Sequence, residues 1–188
     1  MTCYQVSLSI KLGFTWEQRK LEKLFTERKE RSANGELLSV TISSGIVRFD
    51  SLERKNNSSV NKSNYKIVRK NDIAYNSMRM WQGASGVSDY DGIVSPAYTV
   101  IVPNKNIISH FFGYQFKQKK MLQVFQKNSQ GLTSDTWNLK FSALKNIRVK
   151  IPEKSEQTSI ADHLKLLDNL IAANECARPP PDCILILM

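Results

Sequence analysis

Residues 153–175, EKSEQTSIADHLKLLDNLIAANE, constrain this chain more than any other stretch. Ile160, Leu164, Leu167 and Ile171 recur at spacings of four, three and four, which puts a narrow apolar seam on one side of a helix. So narrow a stripe has the form of a coiled-coil seam, yet no second helix of this kind follows. Leu166 and Leu170 lie on an adjoining face, so the helix has room for more than one partner. A helix folded back onto its own domain satisfies the same pattern. From Ser155 to Asn174 it would reach about 30 Å at 1.5 Å per residue.

The preceding residues supply one domain. A chain of 188 residues can bury a core without covalent staples. T-W-E-Q from Thr15 has the form of a capping box before Leu21, Leu24 and Phe25, and predicts a first helix. LLSVTISSGIVRFD predicts two strands around Ser43-Ser44-Gly45. The polar residues 53–64 read as a loop. YKIVRKNDIAYNSM repeats strand, turn and strand with Asn71-Asp72 at the turn. A glycine-rich loop follows, and then IVSPAYTVIVP, a strand with Pro96 inside it, which would place it at an edge or a bulge. Ile108, Phe111, Phe112, Phe116, Leu122 and Phe125 predict one helix over 106–127, docked on the sheet. Residues 128–138 form a loop, NIRVKIP a strand, and Pro152 ends it before the last helix. Strands and helices mix without regular alternation, so the fold class expected is α+β. The divisions expected are a leader at 1–14, a domain at 15–152, the helix at 153–175 and a tail at 176–188. The leader alternates like a short strand or a disordered arm, and the tail, with Pro179 to Pro181, continues nothing before it.

Several function classes find no support. The two histidines, His110 and His163, lie far apart, and Cys3, Cys176 and Cys183 form no C-x-x-C pair. Free thiols are the expectation, with no metal site. Gly83, Gly86 and Gly92 lack phosphate-loop spacing. Asp50 with Glu53 and Lys55 is a faint nuclease-like element that runs into a polar loop. No catalytic site is expected. No apolar run approaches a membrane span, and nothing reads as a signal peptide, so a cytoplasmic protein is expected. A formal charge of +10, from 27 Lys and Arg against 17 acids, favours a polyanion as partner.

FTWEQRKLEKLF, LLSVTISSGIV, YKIVRKNDIAYNSMRMWQG, GIVSPAYTV and LKNIRVKIPEKSEQTSIADHLKLLDNLI occur in one order along residues 12–174. Together they resemble half of the DNA specificity subunit of type I restriction–modification systems. The last element is the most specific: a strand ending in Pro, then Glu-Gln, Ile-Ala and Leu-Asp-x-x-Ile on a helix. The resemblance implies a target recognition domain followed by a spacer helix. In the family two such domains each read one part of a split double-stranded DNA site, and their helices pack antiparallel. It implies a modification subunit as partner and, through it, a restriction subunit. S-adenosylmethionine, ATP and Mg²⁺ would then be held by those partners and no cofactor by this chain. A helix of about 30 Å is close to one DNA turn, roughly 34–36 Å, which fits a spacer between two readers.

Recognition residues vary with the target, so candidates come from side-chain chemistry. Cations hold phosphates, while Arg, Asn and Gln read base edges. NSMRMWQG offers Asn76, Arg79, Trp81 and Gln82. QKNSQGLTSDTW offers Lys127, Asn128, Ser129, Gln130, Thr133 and Ser134, and Lys117, Lys119 and Lys120 could hold phosphates. Trp81 and Trp137 could equally be core. One reader with one seam helix predicts a weak homodimer through that helix, reading an inverted repeat. A remnant that docks helices without reading DNA stands as the alternative.

Overall fold

Alternation along two strands divides the interior into two layers. The computed structural model describes residues 16–52 and 61–176. Its centre is an antiparallel sheet of β2 (Phe25–Glu27), β9 (Tyr98–Pro103), β6 (Ile73–Asn76) and β7 (Ser85–Val87), in that order. In β6 and β9, Ile73 pairs with Ile101 and Ala74 with Val100. Successive side chains point to opposite faces. Ile73, Tyr75 and Ile101 therefore enter the larger core, under the helices, while Ala74 and Val100 enter a smaller one. That second core is closed by two antiparallel pairs. One joins β3 (Leu38–Val40) to β4 (Ile46–Arg48), the other β5 (Lys66–Val68) to β8 (Gly92–Val94).

The larger core is filled by α1 (Ser109–Lys117), α2 (Lys119–Asn128) and the short α3 (Phe141–Leu144). Phe25, Phe111, Phe112, Phe116 and Phe125 meet in a chain of ring contacts with centroids 4.9–5.7 Å apart, all near perpendicular. Edge-to-face packing of this kind suits the ring quadrupole. The chain then forms β10 (Arg148–Ile151) and α4 (Lys154–Cys176).

Three expectations fail here, each for a long-range reason. The helix expected from Thr15 is instead β1 (Glu17–Lys20), a 3₁₀ turn at Leu21–Lys23, and β2. β1 is fixed by pairing with β10, Glu17 opposite Ile151, more than a hundred residues away. Leu21, Leu24 and Phe25 are buried as their spacing implies, but a turn delivers them. The single helix expected over 106–127 breaks at Gln118, which is extended (φ −65°, ψ 137°), and the change of direction lets Phe116 meet Phe125. Pro96 lies between β8 and β9 rather than inside a strand. β9 is interior, paired on both sides, where a proline would remove a ladder hydrogen bond. The turn at Asn71 is present, with the left-handed φ of +69°, yet β5 and β6 pair with other strands and not with each other. The leader, most of the 53–64 loop, Glu53 and Lys55, and the tail beyond Cys176 lie outside the described residues.

The first turns of α4 are fastened to the domain. Gln157 is buried; its Oε1 accepts the Ile108 N–H at 3.1 Å and its Nε2 donates to the Pro152 carbonyl at 3.0 Å. Ile108 precedes α1, which has no side-chain cap of its own there, so Gln157 supplies one from outside. Trp16 Nε1 donates to Glu156 Oε1 at 3.1 Å, and Lys154 Nζ to the Lys105 carbonyl at 2.9 Å. Ala161 is buried and Ile160 packs against the larger core. The seam expected from Ile160 is thus divided. Ile160 serves its own domain and Leu164 is half-buried, while Leu166, Leu167, Leu170 and Ile171 stay exposed.

Candidate nucleic-acid interface

The loop after β6 is a built turn. Asn76 Oδ1 accepts the Met78 N–H at 3.0 Å, and the Asn76 N–H reaches back to the Ala84 carbonyl at 2.9 Å. Met80 plugs the core below. A 3₁₀ turn at Met80–Gln82 closes on Gly83, whose φ of +88° suits a residue without Cβ. Arg79 and Met78 are left at the exposed tip. Asn76 spends its carboxamide oxygen internally, and Gln82 Oε1 is buried without a hydrogen-bond partner. Trp81 donates Nε1 to the Met78 carbonyl at 3.1 Å and lies half-buried.

The second loop is closed at its base. Gln130 and Asn138 exchange two backbone hydrogen bonds, at 3.1 and 2.8 Å. Gly131 (φ +148°) passes so near Thr136 that a Cβ would lie 2.6 Å from its backbone. Thr136 Oγ1 accepts the Thr133 N–H at 3.1 Å, which holds the tip. Ser129 and Asn128 bond back to the Phe125 and Val124 carbonyls, both at 2.8 Å, and so finish α2. Lys127, Gln130, Leu132, Thr133 and Ser134 point outward.

The fold brings these two loops together. The Leu139 N–H donates to the Ser77 carbonyl at 2.8 Å, and Trp81 packs edge-on against Trp137 with centroids 5.2 Å apart. The two tryptophans therefore join one loop to the other rather than reaching outward. Leu122 of α2 lies against Gly83, which sets α2 beside the first loop. The tip of the β3–β4 hairpin joins this region through Lys117, whose Nζ donates to the Ile42 carbonyl at 2.6 Å. That contact occupies the ammonium expected to hold phosphate, and burial pulls its pKa down. Ile42, Ser43 and Ser44 are exposed beside it. A Ser-Ser-Gly turn looks like any hairpin in sequence, so nothing local marked them.

Charge is distributed unevenly. Arg28 is paired with Asp72 at 2.7 Å and with Glu30 at 3.0 Å, which raises its pKa, chiefly through the hydrogen bond to Asp72. Arg69 reaches Glu30 and Arg48 reaches Glu36, both at 2.9 Å. Arg79, Lys119, Lys120 and Lys127 form no salt bridge among the described residues. Lys119 and Lys120 open α2, whose first turn holds no acid, so the positive end of the helix is uncompensated. Such a surface carries a positive potential.

Residues 14–179 match the family described as the type I restriction modification DNA specificity domain. The chain belongs to that family. As a specificity domain it shares its fold with solved relatives at low sequence identity. The HsdS subunit from Thermoanaerobacter tengcongensis is 14% identical over 94% of this chain and 43% of that one, with a TM-score of 0.57. The type I restriction-modification system S subunit from M. genitalium is 18% identical over 86% of this chain and 41% of that one, TM-score 0.56. A chain from a structure concerned with assembly and conformational transition of the type I R-M system is 14% identical, over 91% and 43%, TM-score 0.57. The specificity domain therefore spans less than half the length of those neighbours. No curated protein sequence matches it. Among its described residues no group of His, Cys, Asp and Glu could hold a metal ion, and no helix is long and apolar enough to cross a membrane.

Proposed function

We propose that this chain is a reader of double-stranded DNA, the recognition half of a type I restriction–modification specificity subunit without catalysis of its own. It would direct methylation and cleavage subunits to the target, and S-adenosylmethionine, ATP and Mg²⁺ would be bound by those subunits. A cytoplasmic location follows from such a partner. The supporting observation is the pair of interlocked loops, with unpaired Arg79 and Lys127 and with Gln130 outward, beside the uncompensated start of α2. Exposed Arg and Gln suit base edges, and the lysines suit phosphates. A remnant that only docks helices would leave this arrangement without a role.

A second copy of this chain would supply a second reader. Leu167 and Ile171, flanked by Leu166 and Leu170, offer a face to the antiparallel helix of another chain. With Ile160 spent on its own domain the remaining seam is short, so pairing would be weak alone and reinforced by the modification subunit. The test is selection of bound duplexes from a randomised pool by the full chain with the modification subunit. Enrichment of a short motif is expected, with no plasmid cleavage by the chain alone in magnesium. Failure to enrich any motif would reject the proposal.

A further inference from the structure

We propose that the hydrogen bond from Tyr114 Oη to Asp168 Oδ2 sets the direction in which α4 leaves the domain, and thereby the spacing between the two parts of the DNA site. The second clause rests on the DNA-reading function proposed above; the first does not.

Every residue from 165 to 175 is exposed. Among the described residues one side-chain hydrogen bond ties this segment to the domain, Tyr114 Oη to Asp168 Oδ2 at 2.7 Å. No salt bridge joins it. The donor stands on a firm support. Tyr114 is on α1, which Phe111, Phe112 and Phe116 fix in the core, and the neighbouring Gln115 Nε2 donates to the Lys150 carbonyl at 2.9 Å. Burial, and then the Asp168 carboxylate, push the phenol up to about 12, so it is protonated and donates at any physiological pH.

A contact farther along the axis restrains the direction of the helix more tightly than the inner contacts do alone. The inner attachment is the cluster of Gln157, Ile160 and Ala161. Asp168 lies seven residues beyond Ala161, about 10 Å farther along the axis. Without the outer contact α4 can swing about the inner one. From Ala161 to Cys176 the helix runs about 23 Å, so a swing of about 10° displaces its far end by about 4 Å, about one base pair. The arrangement therefore converts a single surface hydrogen bond into a spacing preference. Its small energy suffices, because neighbouring spacings need be separated by only a few-fold.

Two measurements on the full chain test this. In the first, spin labels are placed through Ser142→Cys and Asn174→Cys, with the native cysteines changed to serine, and the distance distribution is recorded. A narrow distribution is expected, broadened by Tyr114→Phe and by Asp168→Ala, no further by both together, and kept narrow by Asp168→Asn, whose amide oxygen can still accept. An unchanged distribution in Tyr114→Phe would overturn the proposal whether or not the chain reads DNA. In the second, sites are selected with the modification subunit from a pool in which the spacing varies. Tyr114→Phe should keep the bases selected while its preference for one spacing over its neighbours falls roughly 2–10-fold, the worth of one net hydrogen bond. Loss of the bases themselves would make Tyr114 a structural residue of the reader and overturn the proposal. An unchanged spacing preference would overturn it too. Failure of the wild type to select any bases would reject the DNA reading, leaving the label distances to judge the contact.

Discussion

Helix α1 and the outer half of α4 carry similar side chains and end in opposite situations. In α1, Phe111, Phe112 and Phe116 are 3%, 0% and 0% exposed. Beyond Leu164, the large apolar residues of α4 are Leu166, Leu167, Leu170 and Ile171, and they remain 52–56% exposed. The recognition domain satisfies its own hydrophobic surface; the outer helix does not. On the function proposed above, that contiguous apolar face would receive another protein. The same contrast holds for charge. Arg28 and Asp72 neutralise each other inside the domain, whereas Arg79, Lys119, Lys120 and Lys127 present uncompensated charge outside.

The largest effect should come from the buried side of this comparison. Phe112→Ala should destabilise the domain by about 3–5 kcal/mol in urea denaturation. Leu167→Asp with Ile171→Asp should each change that stability by no more than about 0.5 kcal/mol. A comparable loss from the helix pair would mean that α4 belongs to the domain's core along its whole length. Next, Asp72→Ala leaves Arg28, whose side chain is 10% exposed, without its main partner. It should cost about 3 kcal/mol by the same measurement. Lys119→Ala should leave stability unchanged.

Smaller effects probe the outward-facing charge. Arg79→Ala or Gln130→Ala should reduce discrimination between the selected site and unrelated DNA by about 1–3 kcal/mol, read from competition binding. Lys119→Ala should weaken all sequences alike and lower the salt slope of log affinity by about one. Equal losses on all DNA from Arg79→Ala would move that residue from base reading to phosphate holding. The smallest effect is in alkali. The Tyr114 phenol rises from an ordinary 10.0 to about 12 in the folded chain. A raised folded value means that its contribution is complete below pH 10 and is lost as pH climbs through about 12. Denaturation between those limits should therefore depend less on pH in Tyr114→Phe than in the wild type.

Local signals made part of this legible in the sequence. The helix α4, the β3–β4 pair around Ser43-Ser44-Gly45 and the turn at Asn71 each follow from neighbouring residues, and each is present. What stayed hidden depends on contacts far apart in the chain. β1 exists because β10 pairs with it, and the apolar residues after Thr15 imitate a helix without that information. The break at Gln118 is invisible in a pattern that continues through it. The interface divides the same way. The polar side chains of the two loops are visible in sequence, but only the fold links the loops through Trp81 and Trp137. Nor could spacing reveal that Lys117 is taken by the Ile42 carbonyl, or that Ile160 is held by its own core.

The central claim is a division of labour, with sequence read by the loops and pairing done by the outer half of α4. It is tested most directly by comparing the DNA sites selected by the wild-type chain and by Leu167→Asp with Ile171→Asp, each with the modification subunit present. The account predicts that the wild type selects an inverted repeat. The variant should select the same half-site bases without a fixed second copy. Loss of the half-site bases in the variant, or an intact inverted repeat, would contradict it.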